Sequence, residues 1–216
     1  MNTTGPLMCF YGDDFTGSTD ALESLWLAGL STTLFSQAPT RRRLAEHPGL
    51  QAFGVAGMSR AMTPEHMETE LRPVLTSLRD TGVPIVHYKI CSTFDSSPAV
   101  GSIGKVIEIG LDVFGDAPIP IVAGAPSLGR YCLFGNLFAR LGADGPVYRL
   151  DRHPSMSKHP ITPMDEADLR LHMAKQTDAT IGLVTSAQLA LDADAAFATN
   201  IDDGAKAILI DLDHEG

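Results

Sequence analysis

Short apolar runs alternate with stretches of helical spacing along most of the chain. LMCFY (7–11) stops at Gly-Asp-Asp and reads as a buried strand. GSTDALESLWLAGL (17–30) sets Ala21, Leu22, Leu25, Trp26 and Leu30 at helical spacing, with Gly29 as its C-terminal stop. TTLFS (32–36) and AFGVAG (52–57) predict strands, and 37–50 a polar connection with one helical turn. Thr-Pro-Glu opens a helix over 63–82, in which Pro73 predicts a kink or break. PIVHYKI (84–90) predicts a strand and 96–115 a helix with Val100, Ile103, Val106, Ile107 and Leu111 on one face.

PIPIVAGA (118–125) predicts the next strand. Residues 129–142 fit a helix or a covering loop, and 146–150 a short strand. The prolines of 152–163 predict a loop, and 164–177 a helix. Strands at 180–184 and 206–212 flank a helical stretch over 186–200. Alternation of apolar strands with helices predicts an α/β fold, a three-layer sandwich with a mostly parallel sheet. Residues 1–216 are expected to form a single domain.

Composition narrows the function classes. In 216 residues, 26 acids against 16 Lys and Arg give a net charge of −10, which repels a phosphate backbone and argues against nucleic acid as a partner. No apolar run reaches the roughly 18 residues of a membrane span, and the first residues lack the pattern of a signal peptide. Cys9, Cys91 and Cys132 are odd in number and widely spaced, which points to reduced thiols in a cytoplasm.

In a parallel sheet the working side chains follow the carboxyl ends of the strands. Asp13, Asp14, Thr16, Gly17, Ser18 and Asp20 follow the first strand, Ser59 and Arg60 the strand at 52–57. Lys89, Ser92 and Thr93 come at the end of 84–90, Ser127 and Arg130 after 118–125. Cations that hold a carboxylate, with carboxylates that accept from hydroxyls, suit a small polyhydroxylated anion. Plainer readings stand beside this one. The acids could cap the first helix, Lys89 could form a structural ion pair, and Arg60 could be a solvated loop residue. Cys91 close to His87 reads first as a small buried apolar group. HPSMSKHP (152–160 region) reads as a rigid loop, and no metal site is expected. Neither GxxxxGK[ST] nor GxGxxG is present.

Four segments, in order, resemble the four-carbon acid sugar kinases. They are GDDFTGSTDALESLWLAGLST, HYKICSTFDSSPAVGSIGKVIE, GAPSLGRYCLFGNLF and HPITPMDEADLRLHMAKQT. The resemblance implies the amino-terminal, acid-sugar-binding domain of an ATP-dependent kinase that phosphorylates erythronate, threonate or 3-oxo-tetronate at the terminal hydroxyl. It implies Asp13 and Asp14 as catalytic groups, and Thr16, Asp20, Arg60, Lys89, Ser92 and Thr93 along the substrate, to which strand-end position adds Ser59 and Arg130. ATP and Mg²⁺ are implied cofactors, with the ATP site on a nucleotide-binding domain expected outside this chain, in cis or in trans. This chain alone is then expected to bind without turnover, with a homo-oligomer open. It departs from the family pattern at Cys91, where an acid is usual, and at Phe94-Asp95-Ser96, where Leu-Arg-Gly is usual. Two alternatives remain: a stand-alone sugar-acid-binding or regulatory module, and a metal-dependent phosphatase built on Asp13 and Asp14.

Overall fold

The computed structural model describes residues 5–115 and 117–214. They fall into two compact units, Met1–Cys91 and Ser92–Gly216. The architecture is α/β, as the alternation predicts, with the parallel strands divided between two sheets.

The first unit carries a parallel sheet in the order β2-β3-β1-β4, made of β1 (Met8–Gly12), β2 (Thr32–Phe35), β3 (Ala52–Ala56) and β4 (Ile85–Lys89). β1 lies centrally, so Cys9, Phe10 and Tyr11 are all buried and its sequence is apolar without alternation. Three helices connect the strands: α1 (Phe15–Leu27), the short α2 (Arg41–Ala45) and α3 (Pro64–Asp80). α3 buries Met67, Leu71, Leu75 and Leu78, a single stripe at helical spacing. It runs unbroken through Pro73. The lost hydrogen bond is the one to the Thr69 carbonyl, and both residues lie on the exposed side, where water can replace it.

The second unit holds a parallel sheet β5-β10-β9, from β5 (Ile119–Val122), β9 (Ile181–Val184) and β10 (Ala207–Ile210). α6 (Ser186–Asp202) packs Leu189, Ala196 and Phe197 against Val184 and Ile208. Its start is a capping box between Thr185 and Gln188. α4 (Ile103–Phe114) begins at Ser102, whose Oγ accepts from Lys105 N at 3.0 Å, so residues 96–102 are loop where the apolar spacing predicts helix.

Two further stretches differ from their predicted form. Residues 129–142 are neither helix nor loop but a hairpin, β6 (Arg130–Leu133) and β7 (Asn136–Arg140), extended by β8 (Val147–Arg149) into an antiparallel sheet. Its two-residue turn has φ +50° at Phe134 and +76° at Gly135. A two-residue hairpin with positive φ at both central positions matches strand twist, but Phe is a rare occupant of the first. The reason it is tolerated lies far along the chain: the buried Asp211 carboxylate accepts from Phe134 N at 2.6 Å and Gly135 N at 2.9 Å.

The helix predicted over 164–177 is reduced to α5 (Leu169–Met173). Residues before it run extended because β7 claims them. Leu137 N donates to the Ala167 carbonyl at 2.9 Å, and Asn136 bridges Asp168. Helical propensity loses here to tertiary hydrogen bonding. Among the described residues, no helix is long and apolar enough to cross a membrane.

Candidate functional site

The residues after β1 fold as they do because Asp14 caps α1. Its Oδ1 accepts from Gly17 N at 2.6 Å, and its carbonyl accepts from Ser18 Oγ at 2.6 Å. Gly12 ends β1 without a side chain because Ser18 Oγ occupies the space a Cβ would need. β3 leads into a 3-10 turn, Ser59–Ala61, which is docked by Arg60 N donating to the Asp13 carbonyl at 3.0 Å. On the other side Asp13 N donates to the Lys89 carbonyl at 3.0 Å, continuing the register that pairs Gly12 with Lys89. Backbone bonds thus place Asp13 between the ends of β3 and β4.

The side chains complete a charged cluster. Arg60 donates from Nε and Nη2 to Asp13 at 3.0 and 2.7 Å, and from Nη1 to Asp14 Oδ2 at 2.7 Å. Asp13 is 4% exposed. Burial lifts its carboxyl above the usual carboxylate range against the pull of Arg60. Arg60 in turn is held more firmly protonated by Asp13 despite its own partial burial. Two acids on one guanidinium leave a net negative charge. Lys89 lies beside them, its Nζ 3.8 Å from Asp20 Oδ2, an ion-pair distance too long for a hydrogen bond.

The predicted residues of the first unit therefore gather. Asp13, Asp14, Arg60, Lys89 and Asp20 are linked by the contacts above, and exposed Thr16 sits on the first turn of α1. Ser59 is fully buried, and its Oγ is hydrogen-bonded to the Tyr88 hydroxyl at 2.7 Å. Tyr88 stacks on Tyr11, centroids 5.7 Å apart and planes at 14°. Both tyrosines escape a strand-end reading because they sit inside their strands. Their pairing in register across β1 and β4 is the signal that could have found them.

Ser92, Thr93 and Arg130 belong to the second unit. Thr93 is buried, and its Oγ1 donates to Asp95 Oδ1 at 3.0 Å. Arg130 donates from Nη1 to the Leu128 carbonyl at 2.6 Å, while its buried Nε has no partner. The histidines of the 152–163 loop cap turns, since His153 Nδ1 accepts from Ser155 N and Met156 N at 3.3 Å and His159 Nδ1 from Thr162 N at 3.1 Å. Among the described residues, no three His, Cys, Asp or Glu side chains converge as metal ligands do.

The chain is similar to a 3-oxo-isoapionate kinase of Paraburkholderia graminis, 54% identical over 185 residues, 86% of this chain and 39% of that protein. It is also similar to a 3-oxo-tetronate kinase of Methylobacterium radiotolerans, 33% identical over 183 residues, 85% of this chain and 41% of the other. It thus spans about two fifths of the length of these relatives. A Salmonella typhimurium structure superposes with a TM-score of 0.83 at 25% identity, over 96% of this chain and 48% of that one. A Haemophilus influenzae structure gives 0.80 at 28% identity, over 94% and 48%. The model of the sugar-binding N-terminal domain matches residues 8–216, nearly the whole sequence, and the chain belongs to that family.

Proposed function

We propose that this chain is the substrate-binding part of an ATP-dependent kinase acting on a small 3-oxo sugar acid. The observation that carries the reading is the charged cluster at the ends of β1 and β4, an acid pair locked by Arg60 with Lys89 beside it. In this reading Lys89 holds the substrate carboxylate. Asp13 and Asp14 accept from the substrate hydroxyl, and the burial that raises Asp13 makes it the better proton acceptor of the reacting hydroxyl. Each of their oxygens carries two lone pairs and spends one on Arg60 or Gly17, which leaves acceptors for substrate. Arg60 orients the acids. Thr16 and Asp20 are the further proposed contacts in this unit, Ser59 supports the turn that carries Arg60, and Ser92, Thr93 and Arg130 are proposed substrate contacts of the second unit by itself.

The names of the relatives support the reaction class, and the 54% identity to a 3-oxo-isoapionate kinase weighs toward that acid over a 3-oxo-tetronate. The residues present do not fit ATP and Mg²⁺. No phosphate-binding glycine loop is present, no metal-ligand cluster forms among the described residues, and both acids are already engaged by Arg60. Both cofactors are assigned to a nucleotide-binding partner domain. The same engagement by Arg60 weighs against the acid pair as a phosphatase nucleophile. Three reduced thiols support a cytoplasmic setting.

Thermal unfolding with 3-oxo-isoapionate, 3-oxo-tetronates, threonate and erythronate tests the reading. A ligand at about 100 times its Kd adds about 2.7 kcal/mol of stability. The expected result is a shift with the 3-oxo acids that is lost in Lys89→Ala. No shift with any of them overturns the substrate class, and an undiminished shift in Lys89→Ala overturns the site.

A further inference from the structure

Phe94 stands directly after Ser92 and Thr93, fully buried, at φ +59°. A bulky residue in the left-handed region is strained and persists only where its surroundings hold it. What holds it is a buried polar knot. Ser96 Oγ donates to the Phe94 carbonyl at 3.0 Å. Gln176 Nε2 donates to Ser96 Oγ at 3.1 Å, and Gln176 Oε1 accepts from Gly104 N, in the first turn of α4, at 3.3 Å. His172, on α5, packs its ring edge-on against Phe94 with centroids 6.1 Å apart, and its Nε2 lies 2.9 Å from Ser96 Oγ.

Hydrogen counting fixes the histidine. Ser96 has one hydroxyl hydrogen and gives it to Phe94, so its remaining lone pairs receive Gln176 Nε2–H and His172 Nε2–H. Nδ1 is then the bare nitrogen, and it is buried with no hydrogen-bond partner. A second proton on the ring would put an N–H where nothing accepts it. Burial first and Lys175 second hold its pKa below that of a free imidazole, against Asp165, the Ser96 backbone and Glu166, which favour protonation.

We infer that His172, Ser96 and Gln176 are positioning residues that hold the strained Ser92–Asp95 segment in the shape that receives the sugar acid. The inference rests on the proposed reading of Ser92 and Thr93 as substrate contacts. Protonation of His172 then loosens the segment, so affinity falls with pH.

The test uses the whole chain with 3-oxo-isoapionate as the probe, measuring Kd from pH 5 to 8, together with amide hydrogen exchange at residues 93–96. Ser96→Ala and His172→Phe are expected to speed exchange at 93–96 and to weaken binding roughly tenfold or more. His172→Gln keeps an N–H toward Ser96 and cannot titrate. It is expected to restore slow exchange and affinity at pH 8, and to remain flat where the wild-type chain weakens in acid. Unchanged exchange at 93–96 in folded Ser96→Ala or His172→Phe, or a Gln variant that tracks the wild-type pH profile, overturns the inference. A wild-type chain that binds no probe overturns the proposed function instead, and the exchange rates still decide whether the knot holds the segment.

Discussion

Gly17 leaves room for Lys89. A methyl group at residue 17 would lie 2.5 Å from Lys89 Nζ and 2.7 Å from Asp14 Oδ1. The ammonium is the end of a flexible chain and can move away cheaply, and Ala is favoured over Gly in a helix by about 1 kcal/mol. Gly17→Ala is therefore expected to keep its unfolding free energy within about 1 kcal/mol of wild type while losing most of the sugar-acid affinity. Urea unfolding alongside calorimetric titration checks this. Unchanged affinity would remove Lys89 from the site.

Asp14 serves two masters, the α1 cap and Arg60. Asn caps as well as Asp does, so Asp14→Asn removes only a part-exposed ion pair and is expected to cost about 1 kcal/mol or less. Asp14→Ala also loses the cap, a further cost of about 1 kcal/mol. Both lose the ligand-induced shift. Equal melting temperatures for the Asn and Ala variants would show that the cap contributes nothing.

The thiols should separate by reactivity. Cys9 and Cys132 are fully buried, and burial pushes the Cys9 thiol up to about 12 and raises that of Cys132 as well, with the Asp211 carboxylate adding to it. Cys91 is part-exposed. A disulfide reagent at pH 8 is expected to label Cys91 in the folded chain, and the other two only on unfolding, because the thiolate is the reacting form. Peptide mapping of the first-labelled cysteine decides it.

Asp211 and Phe134 make opposite predictions at one turn. Asp211→Ala strips two backbone N–H groups of their acceptor and is expected to cost about 3 kcal/mol. Phe134→Gly relieves a left-handed Phe whose side chain is exposed, and is expected to gain about 1 kcal/mol. Denaturant midpoints test both, and a destabilised Phe134→Gly would mean that the ring contributes more than the strain.

Acid should weaken the fold through His172. Its folded pKa lies below the unfolded value of about 6.5, so from about pH 6.5 downward the unfolded chain binds a proton that the folded chain refuses. Stability is lost as pH falls through that window and is fully present above it. His172→Gln is expected to reduce the fall of the urea midpoint between pH 7 and 5, with His87, also held below its ordinary value by burial, carrying the remainder, and an identical slope in both chains would clear His172 of that role.

Strand ends were legible because a buried parallel strand needs a continuous apolar run, and the polar residues that stop it must sit at the rim. Asp13, Asp14, Arg60 and Lys89 are found that way and do converge. Tyr11 and Tyr88 are not, since a tyrosine inside an apolar strand looks like core until its register partner is known.

Local patterning by itself determined the α/β alternation, the caps at Thr63 and the one-face burial of α3, because each depends on neighbours within a turn or two of the chain. Tertiary structure alone decided the hairpin at 130–140, the extended run before α5, and the tautomer of His172. Each of these is settled by a hydrogen-bond partner more than 25 residues away — Asp211, β7 and Ser96 — and unpaired buried polar groups cost too much for local propensity to overrule such partners.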